Sequence, residues 1–179
     1  MMTIGLRLWR LGSHLPAAFL LTGLLLWPPS GPAAAQTPAG IRVLDAGGAE
    51  VRTLSADAIA ALPTVHIHTA TPWSERADYE GPLLTDVIRL AAGGGTPPGA
   101  MPSGTVLLGA ADDYTVRIPL ADVERLRPIL AYRQDGRPLS LRTRGPYWLI
   151  FPFDDTPAIQ NDFWYYRAIW QITRLSLLP

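Results

Sequence analysis

Apolar and polar residues alternate in short runs from about residue 40 onward, and that alternation predicts strands. Ile41-Arg42-Val43-Leu44 and Val51-Arg52-Thr53-Leu54 flank Gly47-Gly48, the pattern of a β-hairpin. Ser55 suits the N-cap of a short helix over 56–61, which Pro63 stops. Residues 64–70 read as a strand with Val65 and Ile67 on one face and His66 and His68 on the other. Residues 71–81, running through Trp73, Arg76 and Tyr79, read as a polar, aromatic loop. Pro82 fits the first turn of a helix, and Leu83, Leu84, Val87, Ile88 and Ala91 recur at helical spacing before Gly93-Gly94-Gly95. A Pro/Gly loop over 96–103 follows. Residues 105–110 and 114–119 are predicted as strands around the corner Asp112-Asp113, and 121–126 as a short helix stopped near Pro128. A hairpin turning at Asp135-Gly136, an apolar strand over 147–151 and a last strand over 168–178 complete the chain. Mixed strands and short helices, with no internal repeat and no second boundary, predict a single α+β domain.

The first 35 residues have a different pattern. Arg7 and Arg10 form a basic start, and residues 15–27 are apolar except at Pro16, Thr22 and Gly23. Pro28-Pro29 ends the run, and Ala33-Ala34-Ala35 offers a small-x-small cleavage site. This is the layout of a secretory signal peptide, over a stretch shorter than the ~20 apolar residues of a membrane span. An uncleaved anchor is the alternative. The expected organisation is therefore a signal peptide over 1–35 and one domain over 36–179, exported to the periplasm.

Composition narrows the chemistry. The 179 residues carry 15 Arg, no Lys, 15 acidic residues and no Cys, for a formal net charge of zero. With the acids scattered among the Arg, no basic stripe for nucleic acid forms. Apolar residues make up 48%, enough for a packed core. The absence of Cys removes disulfides, thiolate metal ligands and thiol nucleophiles together. No Ser lies in a Gly-x-Ser-x-Gly setting, and Gly93-Gly94-Gly95 lacks the Lys of a phosphate loop.

Few groups remain as candidates. His66 and His68 share a strand face about 6.8 Å apart, a spacing that could hold a metal with Asp78 as third ligand; a solvated polar strand face is the plainer reading. Trp73, beside Thr71 and Arg76, suits either a stacking wall for a flat heterocycle or a core plug. Asp112 and Asp113, next to Tyr114, can accept hydrogen bonds from an amino-pyrimidine edge, or form an Asx-type turn. Arg142 and Arg144, ahead of Gly145-Pro146, suit a carbonyl-rich or anionic edge, or a solvated hairpin end.

In order along the chain, Glu80-Gly81-Pro82-Leu83-Leu84, Ala111-Asp112-Asp113-Tyr114, Leu130-Ala131-Tyr132 with Asp135-Gly136-Arg137-Pro138-Leu139, Arg144-Gly145-Pro146-Tyr147-Trp148-Leu149-Ile150, and Ile169-Trp170-Gln171-Ile172 resemble the motifs of the sulfite-oxidase-type molybdopterin-binding domain. The resemblance covers roughly residues 50 to 179. It implies a mixed α+β fold around a β-barrel-like sheet and a pterin cleft. In the enzymes of that family a cysteine ligates molybdenum just before the helix that opens with the Gly-x-Pro-Leu motif; here Thr69 stands near that position, a poor substitute for a soft thiolate. No molybdenum is therefore expected. The chain is more similar to a small exported branch of pterin-binding proteins that regulate cyclic-di-GMP enzymes of the inner membrane. By that resemblance Trp73 stacks a reduced or molybdopterin-like pterin, Asp112 and Asp113 accept from its edge, Tyr114 walls the pocket, and Thr71, Arg76 and Arg144 bind polar edges. A molybdopterin-dependent or degenerate oxidoreductase subunit is the alternative, and a scaffold that binds nothing small is a third reading. Arg7-Leu8-Trp9-Arg10 is not a twin-arginine pair, which favours unfolded export and ligand capture on arrival.

The mature N-terminus is expected at or near Gln36. N-terminal sequencing of chain recovered from the periplasm checks this; full-length chain that stays in the membrane pellet after carbonate extraction would show an anchor instead.

Overall fold

The computed structural model describes residues 40–94 and 104–179. The expected signal peptide and its cleavage site, Gly95, and the 96–103 loop lie outside the described residues. Strands β1 (Ile41–Leu44) and β2 (Glu50–Leu54) form the expected hairpin, and Ser55 caps helix α1 (Ala56–Ala60) by accepting from the Ala58 N–H at 3.1 Å. Strand β3 (Thr64–Thr71) pairs antiparallel with β4 (Ser74–Pro82), followed by α2 (Leu84–Ala91). After the undescribed loop come β5 (Thr105–Ala110), β6 (Thr115–Pro119) and α3 (Leu120–Leu126). Then follow β7 (Ile129–Ala131), β8 (Arg133–Gln134), β9 (Arg137–Pro138), β10 (Trp148–Ile150), a 3-10 turn (Pro157–Ile159), α4 (Asp162–Tyr165) and β11 (Ile172–Leu178).

Among the described residues the strands form three sheets. Five run in the order β2-β1-β11-β5-β6, with β1 and β11 parallel; four run β3-β4-β8-β9; β7 and β10 make a separate ribbon. Among the described residues no sheet closes, which corrects the barrel-like core expected from the resemblance to an open α+β arrangement. No helix among the described residues is long and apolar enough to cross a membrane.

Two cores result. Helices α2 and α3 lay Leu84, Val87, Ile88, Val123 and Leu126 against the five-stranded sheet, which contributes Ile41, Val106, Leu108, Ile118 and Leu175. A smaller core lies beneath the β3–β4 hairpin and holds Ile67, Ala77, Tyr79, Ile129, Trp148 and Ile150. The β7–β10 ribbon borders both, because its alternating side chains point in opposite directions. Leu130 and Leu149 enter the larger core, while Ile129, Ala131, Trp148 and Ile150 enter the smaller.

The loop expected over 71–81 is instead the turn Pro72-Trp73 and strand β4. Ala77 and Tyr79 are its inward face, and charged residues fill the alternate positions. Such a strand hides from a hydrophobicity pattern because one inward residue is small and the other carries a hydroxyl. The last strand begins at Ile172 and not at residue 168; a register shift between Ile172 and Arg174 resets its phase, so that Ile172 and Leu175 are both buried although an odd number of residues apart.

Gly81 marks where β4 passes against the ribbon. A Cβ there would strike the Leu130 carbonyl and lie 2.8 Å from the Ala131 Cα. Gly81→Ala is expected to destabilise by about 1–3 kcal/mol or more, since backbone cannot yield as a side chain can. Gly47→Ala, at an exposed turn, should stay within about 0.5 kcal/mol. Urea midpoints of the two variants test the difference.

Candidate functional site

A cleft of about 300 Å³ opens where the β3–β4 turn, the β5–β6 corner and the segment before β11 converge. Its walls are aromatic: Trp73 from the turn, Tyr114 from the corner, and Tyr166 and Trp170 from the segment after α4. Ala110, Ala168 and Ile169 are buried and form its floor, with Asp112 at the edge.

Local hydrogen bonds fix each wall. The Thr71 hydroxyl accepts the Trp73 N–H at 3.2 Å and bonds the Ser74 hydroxyl at 2.9 Å, which closes the two-residue turn. Ser74 in turn bonds the Tyr79 hydroxyl, and burial pushes that phenol above its ordinary pKa despite the bond. Trp73 is half-buried and packs on both cores, so it is both a plug and a cleft wall. Its carbonyl accepts Arg144 Nη2 at 2.7 Å. The Arg144 guanidinium lies 4.8 Å from the centre of the Trp148 ring and 5.9 Å from that of Trp170, within cation–π range of both. Trp73 meets Trp170 edge to face at 5.0 Å, and Trp170 meets Trp148 in the same way at 6.1 Å.

At the opposite corner the Tyr114 N–H donates to Asp112 Oδ1 at 3.1 Å, an Asx-type turn, and the Tyr114 hydroxyl donates to the Tyr166 carbonyl at 3.0 Å. Asp113 takes a left-handed φ of 68° and pairs with Arg174 Nη1 at 2.9 Å.

The structure therefore brings three of the residues singled out from sequence, Trp73, Asp112 and Tyr114, to one cleft. Thr71 and Arg144 stand behind Trp73 and hold it. Asp113 pairs with Arg174 outside the lining, and Arg76 pairs with Asp154 at 2.7 Å. His66 binds Asp78 across the hairpin at 2.9 Å, and that hydrogen bond holds its imidazole above the ordinary value. His68 is exposed on the same face. Tyr166 and Trp170 were not singled out. The dense aromatic run Phe163-Trp164-Tyr165-Tyr166, which fits neither a strand nor an amphipathic helix, was the available signal.

Thr69, which the resemblance sets near the cysteine position, is fully buried. Its hydroxyl donates to the Ala70 carbonyl and accepts the Asp154 N–H, both at 3.1 Å. With both roles taken by backbone, and a hard oxygen where molybdenum calls for a soft thiolate, this position does not suit ligation of that metal.

No family model matches the chain, and no curated protein matches it. Among solved structures it is similar to the sulfane dehydrogenase SoxCD from Paracoccus pantotrophus, with a TM-score of 0.54 and 13% identity. The fold is shared with a dehydrogenase. The likeness covers 78% of this chain but 38% of that one, so the chain spans well under half of its neighbour's length. At this identity the likeness concerns the α+β fold alone.

Asp154 braces the β3–β4 hairpin just before its turn. The ladder shifts register between Thr69 and Thr71, and the Ala70 N–H donates to Asp154 Oδ2 at 3.1 Å, beside the Arg76 bond. Asp154→Ala is expected to cost about 1–3 kcal/mol, by orphaning that N–H. The Arg76 bond holds the Asp154 carboxyl below its ordinary value of 3.8. Its ionic contribution is therefore complete above 3.8 and lost as pH falls from there through the depressed folded value. Urea midpoints of the parent and Asp154→Ala should converge as the solution is acidified across that range.

Proposed function

We propose that the chain is an exported, non-catalytic pterin-binding protein, a periplasmic sensor or regulatory partner of an inner-membrane signalling protein of the cyclic-di-GMP type. The observation that carries the reading is the aromatic cleft with a carboxylate at its edge. A pterin is a flat bicycle whose amino-pyrimidine edge is rich in donors. Trp73 and Trp170 offer aromatic surface, Tyr114 and Tyr166 further ring surface, and Asp112 a carboxyl acceptor. Oδ1 of Asp112 serves its own turn, and among the described residues Oδ2 makes no hydrogen bond to protein. The volume, about 300 Å³, is at the small end of ligand pockets and suits a bicyclic ring better than a large cofactor. The motif resemblance to molybdopterin-binding domains supports the same ligand class. The absence of any Cys and the committed Thr69 hydroxyl favour binding without metal chemistry. The periplasmic site and the signalling partner rest on the N-terminal pattern and on the resemblance to the small exported branch.

Titration with a tetrahydropterin, read by calorimetry, tests the reading. Stacking adds about 1 kcal/mol beyond burial and a charge-assisted bond about 1.5–3 kcal/mol. Tyr114→Ala and Asp112→Asn should each weaken binding by about tenfold. Asp112→Asn keeps an amide oxygen for the Tyr114 N–H, so its melting temperature should stay close to that of the parent. Absence of binding, or unchanged affinity in both variants, would overturn the proposal. About one molybdenum per chain by elemental analysis would favour an oxidoreductase subunit.

A further inference from the structure

The outward face of the β3–β4 hairpin carries a second cluster, separate from the cleft. Ile67, Ala77 and Tyr79 point into the smaller core, so the alternate positions His66, His68, Asp78 and Glu80 share the opposite face. Register sets Glu80 directly across from His66, and Asp78 across from His68. The side chains nevertheless converge on the diagonal: His66 Nδ1 lies 2.9 Å from Asp78 Oδ2. One imidazole nitrogen and one carboxylate oxygen from each of Asp78 and Glu80 all lie within 4.8 Å of one another. Spacing along β3 suggests His66 and His68 with Asp78 as third ligand; the folded hairpin keeps His66 with Asp78 and brings Glu80 of the same facing strand to them.

We propose that His66, Asp78 and Glu80 form a three-ligand site for a divalent cation of the zinc class. Donors bound about 2.1 Å from a tetrahedral ion stand about 3.4 Å apart, so closure needs a movement on the order of 1 Å at side-chain ends. His66 and Asp78 keep 58% and 41% of their side-chain surface exposed, which leaves them free to make that movement without shifting the strands. Water completes the coordination on the open side. A borderline nitrogen with two hard oxygens suits Zn²⁺ and Co²⁺, and excludes the soft ions that need sulfur. Local charge agrees. Within the cluster two carboxylates meet one imidazole, with His68 beside it on the same face, and Asp135 adds a third negative group by accepting the Asp78 N–H at 3.0 Å. The nearest competitor is Arg133, opposite Glu80 on β8, and among the described residues it makes no ion pair with Glu80. A bound ion would tie β3 to β4 along the stem of the hairpin whose tip carries Trp73. The site does not depend on the pterin reading.

Calorimetric titration of the chain as isolated with Zn²⁺ alone tests the proposal, with Co²⁺ absorption as a second readout of coordination. The expected result is one saturable ion per chain and a raised melting temperature at saturation. Glu80→Gln and His66→Gln should each lower affinity by at least about tenfold, and His68→Gln by less than about threefold. All three positions lie on the solvent side of the hairpin, and circular dichroism of each variant verifies that the fold is kept. Failure to saturate, or equal affinity in Glu80→Gln and the parent, overturns the site. Loss in His68→Gln with none in Glu80→Gln also overturns it, by assigning the ion to the two histidines.

Discussion

The fold depends on a ribbon of six residues that has no solvent face. Every residue of β7 and β10 is buried, and alternation sends their side chains into two different cores. Main-chain bonds stitch its outer edges as well. Leu83, past the end of β4, bridges Ile129 on one side; Trp170 bridges Trp148 on the other, and the Leu149 N–H donates to the Ile169 carbonyl at 2.8 Å. Trp148 completes this arrangement by donating its indole N–H to the Ala168 carbonyl at 2.9 Å. The ribbon thus holds the segment 168–170, and with it one wall and part of the floor of the cleft. The site stands on a fully buried ribbon, although its rim residues Tyr114 and Tyr166 are exposed.

A rigid base with an exposed rim is what a binding cleft requires. Preorganised walls spare a ligand the cost of ordering side chains. The wall residues here are held from behind: Trp73 by Thr71 and Arg144, Tyr114 by the Tyr166 carbonyl, Asp112 by its own turn. Thr71 and Arg144, expected as direct contacts, lie outside the lining and hold Trp73 through its backbone N–H and carbonyl. In the same way the acidic pair at the β5–β6 corner divides its work. Asp112 faces the cleft, and the left-handed backbone at Asp113 turns the next carboxylate toward Arg174.

Much of the fold was legible because strands with one apolar face, such as β3 and β6, advertise themselves by alternation. So were the elements that punctuate them: Ser55 at its cap, Gly47-Gly48 and Asp135-Gly136 at turns. Strand β4 was not legible, since its inward positions are Ala77 and Tyr79 and its outward ones are charged. The phase of β11 was hidden by its irregularity, which no local pattern records. The coming together of Trp73, Asp112 and Tyr114 was suggested by resemblance to a family and not by spacing. Nothing local says that residues 73 and 112 meet, because that depends on how two hairpins pack. For the same reason Tyr166 and Trp170 were passed over, and although Asp78 was named beside the His66–His68 pair, Glu80, which joins His66 and Asp78 across the hairpin, was not. Cross-strand register is a property of the folded hairpin, and the sequence carries it only through the length of a turn.

The edge-to-face chain of indoles has an optical consequence. Trp73, Trp170 and Trp148 stand at 83° and 84° to their neighbours, at centroid distances of 5.0 and 6.1 Å, with a guanidinium beside two of them. Chromophores so close couple their excited states, and the sign and strength of their near-ultraviolet ellipticity follow the angle between the rings. Trp73, at the cleft end of this array, makes the domain its own spectroscopic gauge: whatever enters the cleft and turns that ring changes the colour signature of the whole trio without any added dye.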